Sequence, residues 1–150
     1  VTSDSMAPTL RTGDHVVAAP APHTPRVGDI VVFEPPSAWR EAFPRWSDGA
    51  DAPERMVKRV VAVGGDTVVC CAADGRLVVN DVRLDEDYLA EEPGTGNTPT
   101  YRIVVPEDSL WLLGDNRAGS FDSQRVRAMT GDGAVPKDAL TGKVVGSQAW

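Results

Sequence analysis

The sequence predicts a mostly β domain of coiled antiparallel β-sheets, arranged as a barrel or sandwich. Short β-branched runs recur along its 150 residues, as half-buried strands require. Between them lie 14 Gly and 12 Pro, which punctuate any long helix. No segment shows the strong 3.6-residue apolar period of a packed helix. The length fits one domain, and a hydrophobic fraction of 41% supplies one core. A disordered tail, a collagen repeat and a disulfide miniprotein are excluded.

The strands are expected in this order: His15-Val16-Val17-Ala18, Asp29-Ile30-Val31-Val32-Phe33, Met56–Val63, Thr67-Val68-Val69-Cys70-Cys71, Leu77-Val78-Val79, Tyr101-Arg102-Ile103-Val104-Val105 and Leu110-Trp111-Leu112-Leu113. Ala73-Asp74-Gly75-Arg76 is a turn signal that makes 67–80 a hairpin, and Gly64-Gly65-Asp66 is another turn. A short helix is the most that 120–129 would hold. Residues 34–54 and 91–100 read as surface loops inserted into one domain, 1–150. The first loop carries Trp39, Phe43 and Trp46, which form either a small satellite core or an anchor at a membrane–water boundary. Adjacent Cys70 and Cys71 read as two small apolar strand residues, since a bond between neighbours strains its ring. They lack zinc-site spacing.

Charge narrows the function classes. The net charge is −7, and the 12 Arg and three Lys form no cluster, which argues against nucleic-acid binding. No apolar run reaches the ~18–20 residues that span a bilayer.

Three segments carry candidate chemistry. In Ser3-Asp4-Ser5-Met6-Ala7-Pro8-Thr9-Leu10, a serine at a strand-to-turn junction holds its hydroxyl outward, although Ser near Pro is ordinarily a turn hydrogen-bonder. A serine nucleophile needs a base. His15 and His23 are weak candidates, because no Gly-x-Ser-x-Gly elbow exists and prolines flank His23. The second segment is Arg55-Met56-Val57-Lys58-Arg59-Val60-Val61-Ala62-Val63. Strand alternation puts Met56, Lys58, Val60 and Ala62 on one face and Val57, Arg59, Val61 and Val63 on the other. A cation in an apolar row ordinarily snorkels to water. If enclosed, Lys58 loses its proton near neutrality and becomes a base, whereas Arg59 stays charged. The third segment, Gly114-Asp115-Asn116-Arg117-Ala118-Gly119-Ser120-Phe121-Asp122-Ser123, is either an Asx-type turn network or a set of hydroxyls and carboxylates that orients a Lys amine.

These segments, in this order, resemble the bacterial type I signal peptidases, with Gly28-Asp29-Ile30-Val31-Val32-Phe33, Gly64-Gly65-Asp66, Gly133-x-Val135-Pro136 and Gly142-Lys143-Val144 also matching. The resemblance covers essentially the whole chain. It implies a Ser/Lys-dyad serine endopeptidase with Ser5 as nucleophile and Lys58 as general base. Ser120 would hydrogen-bond the Lys58 amine. The Ser5 N–H and the Ser3 hydroxyl would form the oxyanion hole. Asp122 and Arg59 would be structural support, and Met6, Leu10, Met56 and Val57 would line pockets for small residues at −1 and −3. No metal or cofactor is implied. The partners would be preprotein signal peptides bound as extended strands, and the cytoplasmic membrane surface, with catalysis on the extracytoplasmic side. On that reading the chain is a soluble catalytic fragment, with a membrane anchor expected before Val1 and room for one after Trp150. Gln124 stands where the family usually has Arg, which puts the support around Asp122 in question. Two other readings stay open. One is a self-cleaving repressor-type peptidase with the same dyad, which the 114–123 run disfavours. The other is a non-catalytic β module that binds extended peptides, against which Ser5, Lys58 and Ser120 together argue.

Overall fold

β-branched runs interrupted by Gly and Pro close into two antiparallel sheets. The computed structural model describes residues 1–21, 24–92 and 100–149; His23 and most of the 91–100 connector lie outside them. The strands are β1 (His15–Pro20), β2 (Ile30–Phe33), β3 (Met56–Val63), β4 (Thr67–Cys70), β5 (Val78–Val79), β6 (Val82–Arg83), β7 (Tyr101–Val104), β8 (Ser109–Leu113), β9 (Val135–Pro136) and β10 (Leu140–Gln148). Two α-helices accompany them, α1 (Ser37–Trp46) and α2 (Ser123–Thr130). The larger sheet runs β1-β10-β2-β3-β8-β9 and the smaller β6-β5-β4-β7. The expected 67–80 hairpin is present, with Val68 opposite Val79. No helix among the described residues is long and apolar enough to cross a membrane.

β3 and β8 have core on both faces. Met56 and Val60 of β3, with Leu110 and Leu112 of β8, enter a first core with Phe33, Trp39 and Phe121. Val61, Ala62, Trp111 and Leu113 enter a second core under the smaller sheet, with Val68 and Tyr101. Strict alternation along β3 does not hold. The β3–β8 register shifts between Val60 and Ala62, so Val61 and Ala62 both face the second core and Val63 returns to the first. A bulge of this kind inserts one residue and reverses the faces beyond it. Lys58 precedes the bulge and keeps the face of Met56 and Val60.

The 34–54 segment is not a plain loop. It folds as α1, whose Trp39 and Ala42 are fully buried. Trp39 meets Phe33 and Phe121 edge-on, with ring centroids 5.2 and 5.8 Å apart. It therefore belongs to the main core, neither a satellite core nor a membrane anchor; of the three aromatics only Trp46 is exposed. Cys70 and Cys71, expected as two small apolar strand residues, are joined as a vicinal disulfide, and only Cys70 lies in a strand. The C-terminal β10 was not among the expected strands, yet it pairs with both β1 and β2. Its Gly142 sits against β1, where an added Cβ would lie 3.0 Å from the Ala19 carbonyl oxygen.

Candidate active site

Backbone bonds bring the three chemical segments together. The Asn116 N–H donates to the Ser5 carbonyl at 3.0 Å, and the Asn116 side chain donates to the Asp4 carbonyl. Gly114 lies at the junction. An added Cβ there would come 2.2 Å from Ser120 Oγ and 2.5 Å from the Ser5 carbonyl oxygen. Only glycine permits that approach.

Lys58 reaches the junction from β3. Its Nζ donates to Ser5 Oγ at 2.8 Å, and both side chains are buried. Loss of water lowers the Lys58 pKa from 10.5 to about 8. The carboxylates of Asp122 and Asp115 pull the other way by favouring the ammonium. Desolvation dominates because an ion without its hydration shell costs more than two nearby charges return.

Asp122 is fully buried just after Ser120. Burial pushes its carboxyl pKa up, opposed by the Lys58 cation and by the Gly114 N–H that donates to it at 3.2 Å. It also caps α2, accepting from the Arg125 N–H. Next to it the Ser123 hydroxyl accepts from the Leu112 N–H at 2.9 Å. The start of α2 is thereby pinned to the end of β8, which holds the Asp122 carboxyl near Lys58.

Ser3 and Ser5 share a pair of close contacts. The Ser3 hydroxyl donates to Ser5 Oγ at 3.3 Å, and the Ser5 N–H points at Ser3 Oγ at 3.5 Å. Both donors thus lie beside the Ser5 hydroxyl. Ser120 is buried at the junction but makes no hydrogen bond to Lys58. Its Oγ has no partner of good geometry, although it lies near enough to favour the ionised form of Asp122.

Arg59 leaves the opposite face of β3. It forms a two-pronged ion pair with buried Asp115, Nε to Oδ1 at 2.8 Å and Nη2 to Oδ2 at 2.7 Å. Its guanidinium lies 3.9 Å from the centre of the Tyr88 ring, and Thr9 also donates to Asp115. Asp115 was not singled out from the sequence. Its signal was a carboxylate directly after the apolar run 110–113. Gln124 is buried and accepts from the Tyr101 hydroxyl at 3.0 Å, which in turn accepts from Trp111 Nε1 at 3.1 Å. It ties α2 to the smaller sheet and leaves Asp122 alone.

A cleft of about 340 Å³ opens beside Ser5 and Lys58, lined by Ser3, Met6, Met56, Val57 and the aromatics Phe43, Trp46 and Phe121. Leu10, expected in this wall, is buried elsewhere and does not line it. Among the described residues no group of three His, Cys, Asp or Glu side chains could hold a metal ion.

The family described as signal peptidase, peptidase S26, matches residues 1–148. Signal peptidase I of Leptolyngbya laminosa is 33% identical over 148 residues, covering 97% of this chain and 64% of that protein. Probable thylakoidal processing peptidase 2 of Arabidopsis thaliana is 39% identical over 126 residues, 82% of this chain and 31% of that protein. The chain therefore spans between about a third and just under two thirds of these relatives. A crystal structure of a signal peptidase I from Enterococcus faecalis V583 superposes with a TM-score of 0.55 at 28% identity, covering 80% of this chain and 96% of that one.

Proposed function

The chain belongs to the signal peptidase, peptidase S26, family, and from that premise we propose that it is a serine endopeptidase that removes signal peptides by a Ser5/Lys58 dyad. The observation that carries the reading is the buried 2.8 Å contact between a lysine amine and a serine hydroxyl. With its pKa near 8, Lys58 is neutral in a useful fraction of molecules and takes the Ser5 proton. Ser5 Oγ attacks the scissile carbonyl. The Ser5 N–H and the Ser3 hydroxyl stabilise the oxyanion, each such donor contributing ~3 kcal/mol in comparable sites. Lys58 returns the proton to the leaving amine, and the neutral Lys58 amine then takes a proton from the water that hydrolyses the acyl-enzyme. Asp122 lies close enough to act on the Lys58 amine electrostatically.

The substrate adds as an extended strand. β8 pairs with β3 only from Arg59 onward, so the edge of 56–58 on that side faces the Ser5 segment and the cleft. Strand addition there puts alternate substrate side chains into the cleft. Small residues at −1 and −3 fit between Met6 and Met56, the basis of an Ala-x-Ala preference. Exported preproteins at the outer face of the cytoplasmic membrane are the substrates of this reading.

Preprotein cleavage by Ser5→Ala and Lys58→Met tests it. Each variant is expected to lose at least about 10³-fold in kcat/KM with its circular dichroism unchanged. Turnover within tenfold of the parent in either folded variant rejects the dyad.

A further inference from the structure

The cleft, about 340 Å³, is larger than two alanine methyl groups require, and part of its wall is aromatic. Its walls include Met6 and Met56 together with Phe43 and Trp46 of α1, Phe121, Pro53 and Arg55. The three rings form one cluster, with Phe43 5.0 Å and Trp46 5.4 Å from Phe121 between centroids. Phe121 is buried, whereas Trp46 is 40% exposed. A large indole held against two rings yet open to a cleft is a surface that an apolar side chain would complete.

We propose that Trp46 and Phe43 form a third substrate subsite, which selects a bulky apolar residue at position −5 of the signal peptide. The proposal rests on the strand-addition reading above. Along an added strand, same-face residues recur about every 7 Å. If −1 lies at Lys58 and −3 at Met56, two residues back along β3, then the next same-face side chain passes beyond Met56 into the aromatic part of the cleft. Arg55 lies on that wall, so its guanidinium disfavours a basic residue there. The occupant is therefore the apolar stretch of the signal peptide just before the small residues. α1 determines specificity from outside the dyad, and only because it folds onto Phe121.

Equilibrium binding tests this without depending on cleavage. Two peptides, identical except for Leu or Ser at −5, are titrated against Ser5→Ala protein. The Leu peptide is expected to bind at least about tenfold tighter, and the preference is expected to fall to about twofold in Ser5→Ala/Trp46→Ala. Trp46→Phe should restore most of it, which separates lost contact from lost fold. Equal affinities in Ser5→Ala, or a preference that survives Trp46→Ala, overturn the proposal. If Ser5→Ala shows the preference but the parent protein cleaves neither peptide, the subsite stands and the dyad falls.

Discussion

Lys58 acquires its chemistry from what surrounds it, since a lysine in water near its usual 10.5 would hold its proton at neutral pH. Burial brings the value to about 8, and the neutral form is the active one. The expected pH profile of kcat/KM therefore rises about tenfold per unit below that value and levels off above it. Stability follows the same group. Its folded pKa is depressed, so the unfolded chain binds more protons between about pH 8 and 10.5, and this group's contribution to stability rises with pH across that window. Denaturant titrations of parent and Lys58→Met should show the parent gaining on the variant from pH 8 to 10. A flat difference, or a rate profile with its midpoint above 10, contradicts an enclosed amine. At this scale Ser3, Ser5 and Lys58 were legible as residue types in a recognisable order. That the buried Ser120 hydroxyl is left without a partner among the described residues was not, because no spacing encodes which groups a hydroxyl meets in the fold. The Arg59–Asp115 pair was illegible for a related reason: its members are 56 positions apart.

Among the elements, α1 was missed although it carried a signal. Trp39, Ala42, Phe43 and Trp46 stand at i, i+3, i+4 and i+7, a helical stripe. Flanking prolines and Pro44 inside the helix obscured it, since proline ordinarily ends a helix. Here Pro44 falls in the last turns, where one lost hydrogen bond is outweighed by the burial of Trp39 and Ala42. Trp39→Ala should therefore destabilise the protein by about 3–5 kcal/mol in denaturant unfolding. A loss under 1 kcal/mol would mean that α1 is dispensable to the core. β10 failed for the opposite reason. Its Gly142 and Gly146 are poor strand formers on their own, and the strand exists because β1 and β2 both pair with it. The β3 bulge was equally out of reach, because a run of Val and Ala reads the same in either register.

For the molecule as a whole, β3 and β8 join two cores that would otherwise be separate. Leu112 belongs to the first core and Leu113, its neighbour, to the second. Leu112→Ala and Leu113→Ala should each cost about 2–5 kcal/mol, and in both variants far-UV circular dichroism and tryptophan fluorescence should report one coincident transition. Two separated transitions would show that the sheets unfold independently. The sequence by itself determined that the chain is mostly β and where most of its strands lie, because strand propensity is a local property written along the chain. The pairing of Ser5 with Lys58 was legible only through the resemblance of the chain's motifs to a known family. Only the tertiary structure decided that the lysine is dry, that Asp115 holds Arg59, and that an aromatic helix walls the cleft. Desolvation and packing belong to groups brought together from distant positions, and no stretch of sequence contains them.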